Sequence, residues 1–180
     1  SYSDWADYDN FSPDITVEGS DSKLLPAYLS LIRLSDSAIQ NLVSYFEAQE
    51  EPTMIVFFGD HQPADSVVRP VWKLNGKDDA DLTDEEEALR YKVPFFIWAN
   101  FDIETENDLE ISANYLAAKT LDAAGLPKSA YDNFLSQLRT EVPVISANHV
   151  TLSDGTFTTA SKQKDLLYDY QTLQYYLLFD

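Results

Sequence analysis

Residues 52–65 read PTMIVFFGDHQPAD in one-letter code. The five apolar residues Met54–Phe58 are rich in β-branched and aromatic types, and such a run predicts a buried strand. Gly59 follows and leads into the polar group Asp60-His61-Gln62-Pro63, a composition typical of a turn. We therefore expect a strand that delivers polar side chains into a loop, and any chemistry of this chain to lie at that point.

The segments around this strand predict alternating helices and strands, which favours an α/β layer. Apolar residues recur every three or four positions from Leu24 to Ala48, as in an amphipathic helix, and Val93–Ala99 predicts a second buried strand that ends at Asn100. The other expected elements are an irregular loop over 64–81, a short helix opened by the capping box at Thr83 and ending at Arg90, helices Asn114–Ala124, Ala130–Arg139 and Lys162–Leu178, and short strands within 142–159. The last helix is expected to direct Leu166, Leu167, Tyr170, Leu173, Tyr176 and Leu177 inward.

Composition limits the classes of function that this chain can have. Its 180 residues are 44% hydrophobic and 13% aromatic, which supplies a core for one domain or for part of a larger one. The net charge of −19 argues against nucleic acid as a partner. Since there is no cysteine, disulfides, thiolate zinc sites and a cysteine nucleophile are excluded.

No apolar window approaches the roughly 18 residues of a membrane span, so we expect this chain to be soluble. Its start, SYSDWADYDNF, lacks the basic and apolar regions of a signal peptide and does not begin with methionine. We interpret the chain as a segment of a longer protein, in which any targeting information would lie upstream.

Asp60 and His61 are the leading candidates for chemistry, because both side chains can converge where Gly59 ends the strand. A carboxylate and a neutral imidazole suit a borderline divalent ion such as manganese or zinc, whereas a magnesium site is more often all oxygen. On the other reading, Asp60 caps the turn and His61 is an incidental polar residue. A closed site needs about four ligands, so further ligands must be acids, hydroxyls, water or groups outside the chain.

The remaining candidates have simpler readings. His149 is expected to be a surface or hydrogen-bonded structural histidine, and the acids from Asp78 to Glu87 form a solvated face without the alternation of a calcium-binding loop. Arg69 and Trp72 either border a substrate pocket or serve in packing and at the surface. The chain has no glycine-rich phosphate loop and no Gly-x-Ser-x-Gly elbow.

Three groups of residues carry a resemblance to a known family. They are Tyr28-Leu29 with Ser35-Asp36-x-Ala38-Ile39, the run Pro52–Pro63 with its FFGDHQP end, and Tyr91–Asn100, extended by Ile111–Leu116 and Leu121–Pro127. Together they resemble the carboxyl-terminal half of the sulfatase-fold phosphoglycerol transferases, the lipoteichoic acid synthase family of the alkaline phosphatase superfamily. The match is strongest over 25–127.

The resemblance implies the carboxyl-terminal portion of an alkaline-phosphatase/sulfatase-like α/β sheet flanked by helices, with a small strand region and a C-terminal helix. Residues 1–128 would form the C-terminal half of that α/β domain and residues 129–180 a small α+β subregion of it. Members of the family bind manganese through a glutamate, a nucleophilic threonine and an Asp-His pair, which Asp60 and His61 match. The glutamate and the nucleophile are expected upstream of residue 1.

The activity of this family implies a parent enzyme that is anchored by membrane helices at the extracellular face of a Gram-positive cell and acts there on the cell wall. Its substrate would be a phosphoglycerol lipid or another phosphate or sulfate ester, and its missing N-terminal part would be the partner of this chain. Manganese is the expected cofactor, with Zn²⁺, Mg²⁺ and Ca²⁺ as alternatives, and the segment alone is expected to be inactive and to lack the metal. The competing hypothesis is a non-catalytic binding or structural module.

Overall fold

A computed structural model describes residues 11–179 of the chain. The chain divides into two compact units, one that ends at Asp102 and one that begins at Ile103, and each is described by itself. The expected division into a domain half over 1–128 and a subregion over 129–180 stays a prediction. The elements are a mixture of helices and short strands, so the predicted α/β class is confirmed.

The first unit begins with a long helix, α1, at Leu24–Glu47, which confirms the amphipathic helix predicted there. Ser30 is buried on this helix, and its hydroxyl donates to the Pro26 carbonyl at 2.8 Å. The same hydroxyl accepts from the backbone N–H groups of Asp14 and Ile15, each at 3.1 Å. The preceding loop is therefore attached to α1 through a satisfied buried polar group.

Two antiparallel strands, β1 at Met54–Phe58 and β2 at Phe95–Ala99, form the sheet of this unit. Met54 pairs with Ala99 and Phe58 with Phe95, and the rings of the paired Phe57 and Phe96 stack at 5.2 Å. Both strands lie where the sequence predicts them, although β2 begins two residues after Val93. The burial predicted for both strands is incomplete: their residues are half-buried, and Phe58 at the end of β1 is 56% exposed. Within residues 11–179 no third strand pairs with this sheet.

The segment 64–81 is not the irregular loop expected from the sequence. It contains helix α2 at Asp65–Leu74 and a 3-10 turn at Asp79–Asp81. Pro70 suggested a loop, because a proline inside a helix lacks the backbone donor and its ring crowds the carbonyl four residues earlier, although its φ is compatible with a helix. Helix α2 packs against α1 and leaves Val67 only 1% exposed, so tertiary packing outweighs the local cost of proline.

The capping box predicted at Thr83 is confirmed. Thr83 accepts from the Glu86 backbone N–H, and the Glu86 carboxylate accepts in return from the Thr83 backbone N–H. Helix α3 covers Asp84–Ala88, and a 3-10 turn at Leu89–Tyr91 leads from it towards β2. A strong local signal was enough to place this short element.

The second unit holds three helices and a small sheet, as the sequence predicts. A core of buried residues that includes Tyr115, Leu135 and Val150 joins them. The predicted C-terminal helix is present, but three of its residues expected inward are exposed, with Leu173, Tyr176 and Leu177 at 36%, 55% and 62%. The elements are α4 at Leu116–Ala123, preceded by a 3-10 turn at Ala113–Tyr115, then α5 at Ala130–Glu141, the antiparallel strands β3 at Val144–Ile145, β4 at Val150–Thr151 and β5 at Phe157–Thr158, and α6 at Lys164–Phe179.

No helix among the described residues has the length and apolar character that crossing a membrane requires.

Candidate metal site

The end of strand β1 is shaped by a close approach between two backbone segments. The Gly59 N–H donates to the Pro94 carbonyl at 3.0 Å, and a Cβ at Gly59 would lie 3.0 Å from the Cβ of Val93. The φ of Gly59 is not positive. The sequence suggested that Gly59 frees the backbone, whereas the structure shows that glycine lets the chain pass close to Val93.

The turn after Gly59 is fixed by the segment that precedes β2. The Gln62 side-chain amide donates to the Lys92 carbonyl, and Arg90 donates to the Pro63 carbonyl at 3.1 Å. Arg90 also pairs with Asp65, the first residue of α2, at 2.6 Å. These bonds join residues about 30 positions apart in sequence. The turn that carries Asp60 and His61 is therefore anchored by side chains and carbonyls of a distant segment.

The imidazole of His61 is oriented by its neighbour. Its Nδ1 lies 2.7 Å from the Gln62 carbonyl oxygen, which can only accept, so Nδ1 carries the hydrogen. In the neutral ring, Nε2 therefore holds a lone pair, and it lies 3.6 Å from Oδ2 of Asp60. Fixing one ring nitrogen so that the other can bind an ion is the usual arrangement around histidine ligands.

The distance between these two atoms suits a shared divalent ion. Metal bonds to imidazole nitrogen and carboxylate oxygen are about 2.0–2.2 Å, so a tetrahedral angle places two such donors about 3.4 Å apart. The 3.6 Å between Nε2 and Oδ2 is close to that value. A neutral imidazole and a carboxylate are both suitable ligands, so the two residues fit one ion.

Two observations show that the pair by itself does not make a complete metal site. The side chains of Asp60 and His61 are 81% and 51% exposed. In the part of the chain that the structure describes, no group of three potential ligands among histidine and acidic residues comes together. Two ligands open to solvent hold an ion weakly, and a complete site needs further donors.

His149 lies in the turn between β3 and β4. Its Nδ1 lies 2.8 Å from the Ser146 hydroxyl, and its ring stacks on Phe157 at 4.7 Å. Burial lowers the pKa of His149, and the charge of Glu110 opposes part of that effect. The Ser146 hydroxyl also accepts from the backbone N–H groups of Asn148 and His149. These contacts are those of a structural histidine in a tight turn.

The acidic segment from Asp78 to Glu87 caps helices and forms ion pairs. Asp78 caps the 3-10 turn, Asp79 pairs with Arg69 at 2.8 Å, and Glu86 pairs with Lys77. The hydrogen bond from Lys77 lowers the pKa of the Glu86 carboxyl, with the Thr83 backbone contributing further. The acids thus serve local structure at the surface, in agreement with the solvated face expected there.

Sequence reasoning missed Arg90, which it treated only as the end of a helix. Arg90 contacts the Pro63 carbonyl, the Asp65 carboxylate and, with its guanidinium 5.9 Å from the ring centroid, Trp72. Trp72 and Arg69, which were expected either to border a pocket or to pack, do line a pocket beside α2. The one signal for Arg90 in the sequence is a basic residue between an acidic helix and a strand.

Comparisons with known proteins give the chain its relatives. The sequence profile of the sulfatase family matches residues 2–126. The putative cyclic beta-1,2-glucan modification protein of Rhizobium meliloti (strain 1021) is 24% identical over 176 residues, which are 92% of this chain and 27% of that protein.

A solved structure, that of the Streptococcus pyogenes phosphoglycerol transferase GacH in complex with sn-glycerol-1-phosphate, is similar with a TM-score of 0.51 at 18% identity. The similarity covers 74% of this chain and 33% of that chain. It shows a shared fold and confirms the fold predicted from the sequence. The chain spans between a quarter and a third of the length of the two relatives.

Proposed function

The chain belongs to the sulfatase family, and from this premise we propose that it supplies the Asp60–His61 half of a divalent metal site in a longer sulfatase-like enzyme. The matched part of this chain covers 27% of one relative and 33% of the other, which leaves room in a longer protein for the other half of the site. The observation that supports this proposal most directly is the 3.6 Å separation of Asp60 Oδ2 and His61 Nε2 at the end of β1.

The residues of this chain would act by supplying two metal ligands and by fixing the conformation of the turn that carries them. Asp60 provides an anionic oxygen, and His61, kept as the Nδ1–H tautomer by the Gln62 carbonyl, provides a neutral nitrogen. Arg90 and Gln62 keep the turn in place through the Pro63 and Lys92 carbonyls. When bound, a divalent ion lowers the pKa of a nucleophile and neutralises charge on a phosphoryl or sulfuryl group.

The mixed nitrogen and oxygen donors favour manganese or another borderline ion, with Zn²⁺, Mg²⁺ and Ca²⁺ as alternatives. The nucleophile would belong to the longer protein outside this chain, and so would a further acidic ligand. Phosphoryl transfer depends mainly on such positioning and on stabilisation of charge, so an incomplete site would be inactive. We accordingly propose that the isolated chain neither turns over substrate nor retains a metal tightly.

We propose a phosphoglycerol group as the unit transferred or released, from a lipid or another phosphodiester, with a sulfate ester as the alternative. The sn-glycerol-1-phosphate named in the complex of the structural neighbour supports this choice, and the glucan named for the Rhizobium relative suggests a sugar hydroxyl as acceptor. In this proposal the parent protein is membrane-anchored and works at the extracellular face.

The test is made on the longest natural protein that contains this chain. Asp60→Asn and His61→Gln should each reduce manganese-dependent turnover of a phosphatidylglycerol substrate at least 100-fold, because each replaces a carboxylate or imidazole ligand with a neutral amide. Asp102→Asn, an exposed carboxylate elsewhere in the unit, and His149→Gln, the other histidine of the chain, serve as matched controls with expected rates near wild type. Near wild-type rates in both Asp60 and His61 variants would exclude the proposal.

A second candidate function is a non-catalytic binding or structural module. The observation that favours it is the absence of a third candidate ligand near Asp60 and His61 among the described residues. In that case the Asp60 and His61 variants of the longer protein would keep full activity, and the purified 180-residue chain would bind manganese no better than its Asp60→Asn variant. Measurable phosphodiesterase or sulfatase activity of the purified chain with added manganese would exclude the module.

A further inference from the structure

A pocket of about 290 Å³ lies beside helix α2 in the first unit. Three of its lining residues, Arg69, Trp72 and Lys73, belong to α2, and three, Asp78, Asp79 and Ala80, come from the 3-10 turn and its cap. Small-molecule sites begin at about 300 Å³. At about 290 Å³ the pocket lies at the lower limit of that range, so it suits only a small ligand.

The charges that line the pocket nearly cancel. Arg69 pairs with Asp79 at 2.8 Å and with Asp65 at 3.5 Å, so its charge is balanced locally. Lys73 and Asp78 add one further charge of each sign. In a chain with a net charge of −19, this lining offers no excess positive field for a free anion. It does place donors beside acceptors, and a hydroxyl group, which both donates and accepts, can use both.

Trp72 gives the pocket a fixed aromatic wall. The guanidinium of Arg90 lies 5.9 Å from its ring centroid, and Arg90 is itself held by Asp65 at 2.6 Å and the Pro63 carbonyl at 3.1 Å. An indole ring carries negative charge on its face, which attracts weakly positive C–H groups. A pyranose ring presents such C–H groups on its face and hydroxyls at its edge.

We propose that this pocket binds a neutral carbohydrate one or two pyranose rings long, with Trp72 under a ring face and the Arg69–Asp79 pair and Lys73 at its hydroxyls. Arg90 contacts both Trp72 and the turn that carries Asp60 and His61, which ties the sugar pocket to the candidate metal site. Binding rests on the pocket alone. Only the role of the sugar as the hydroxyl acceptor of the transferred group rests on the proposed function.

The experiment titrates the purified protein with neutral glucose disaccharides, namely cellobiose, maltose and sophorose, and follows binding by saturation-transfer NMR. EDTA is present throughout, so a failure of the metal proposal leaves this result unaffected. We expect at least one disaccharide to saturate in the millimolar range. Trp72→Ala should weaken that binding at least tenfold, because it removes the aromatic wall.

A second variant separates loss of the pocket from loss of the fold. Ala80→Trp adds a large side chain to the pocket lining at an exposed position and removes no core contact, so it should also weaken binding at least tenfold. Inorganic phosphate and glycerol 1-phosphate are titrated in parallel as anionic competitors. The proposal is overturned if no disaccharide saturates at tens of millimolar, if either anion binds more tightly than every sugar, or if Ala80→Trp binds sugar as wild type does.

Discussion

Thr53 and Asn100 form a two-way hydrogen-bonded pair at one end of the β1–β2 sheet. The Thr53 backbone N–H donates to the Asn100 side-chain oxygen at 2.8 Å, and the Asn100 backbone N–H donates to the Thr53 carbonyl at 3.1 Å. The side-chain amide of Asn100 also lies 2.9–3.1 Å from the carbonyls of Phe46, Gln49 and Glu51, which share its two hydrogens. One side chain thus closes the corner between α1 and the sheet.

The first prediction concerns this corner. Asn100→Ala should lower the free energy of unfolding by about 2–3 kcal/mol, because the partly buried Thr53 N–H and Phe46 carbonyl lose their partner, together with two exposed carbonyls. Asn75→Ala, which removes a single exposed bond to the Val71 carbonyl, is the control and should change stability by less than about 0.5 kcal/mol. Urea unfolding measures both, and equal losses in the two variants would contradict the role given to Asn100.

The second prediction concerns Gly59. Gly59→Ala should destabilise the protein by about 1–3 kcal/mol and weaken manganese binding, because the new methyl group would press on Val93 and move the turn. Gly155→Ala is the comparison: no atom lies within 4 Å, but φ is +84°, so it should cost about 1 kcal/mol without affecting the metal. Thermal unfolding of both variants, and manganese titration of both in the longer protein, check this, and the same metal affinity in both would refute it.

The third prediction concerns the start of α5. The Ser129 hydroxyl accepts from the Asp132 backbone N–H at 3.1 Å and completes a capping box. Ser129→Ala should therefore lower the free energy of unfolding by about 1 kcal/mol, whereas Ser129→Thr keeps the acceptor and should lie within about 0.5 kcal/mol of wild type. Denaturant midpoints at constant m-value are the measurement. A Ser129→Ala midpoint equal to that of Ser129→Thr would show that the cap is unimportant.

The fourth prediction is a pH dependence from His149. Burial lowers its pKa in the folded protein, so the unfolded chain binds the proton more readily. The resulting stability is fully present above the unfolded value of about 6.5 and is lost as the pH falls through the folded pKa. Between pH 7.5 and pH 5, wild type should therefore lose more stability than His149→Gln.

The control for this pH effect is Asn75→Ala, which removes an exposed side chain that does not titrate. Its loss of stability between pH 7.5 and pH 5 should match that of wild type. Comparing variants also removes the common contribution of the 31 acidic residues, whose protonation relieves repulsion in every protein of the set. A parallel pH profile for wild type and His149→Gln would count against the burial of His149.

Local patterns were sufficient for most elements of the fold. The apolar period over Leu24–Ala48, the run Met54–Phe58 and the capping box at Thr83 each predicted an element that the structure contains. Helix α2 was missed because Pro70 signals a break locally, while its packing on α1 is a tertiary contact that a short window cannot show. The burial of α6 was overestimated for the same reason, since an apolar stripe does not reveal how far the core extends.

At the candidate site, the sequence identified two residue types but not their arrangement. Asp60 and His61 could be named from the strand end, and their role as metal ligands stays a proposal. The orientation of His61 by the Gln62 carbonyl depends on the backbone geometry of the turn, which the sequence does not reveal. The anchoring of that turn by Arg90 joins residues 27 positions apart and leaves no periodic pattern to detect.

The pairing of β1 with β2 has a consequence for register. MIVFF and FFIWA are apolar on both faces, so sliding one strand past the other would bring similar side chains together and cost little in burial. The correct alignment must therefore be specified at the ends of the ladder, by Thr53 with Asn100 and by Gly59 with Pro94. The positions of Asp60 and His61 thus depend on polar contacts just outside the strands and on the lack of a side chain at Gly59. The apolar residues of the two strands would tolerate a shifted alignment.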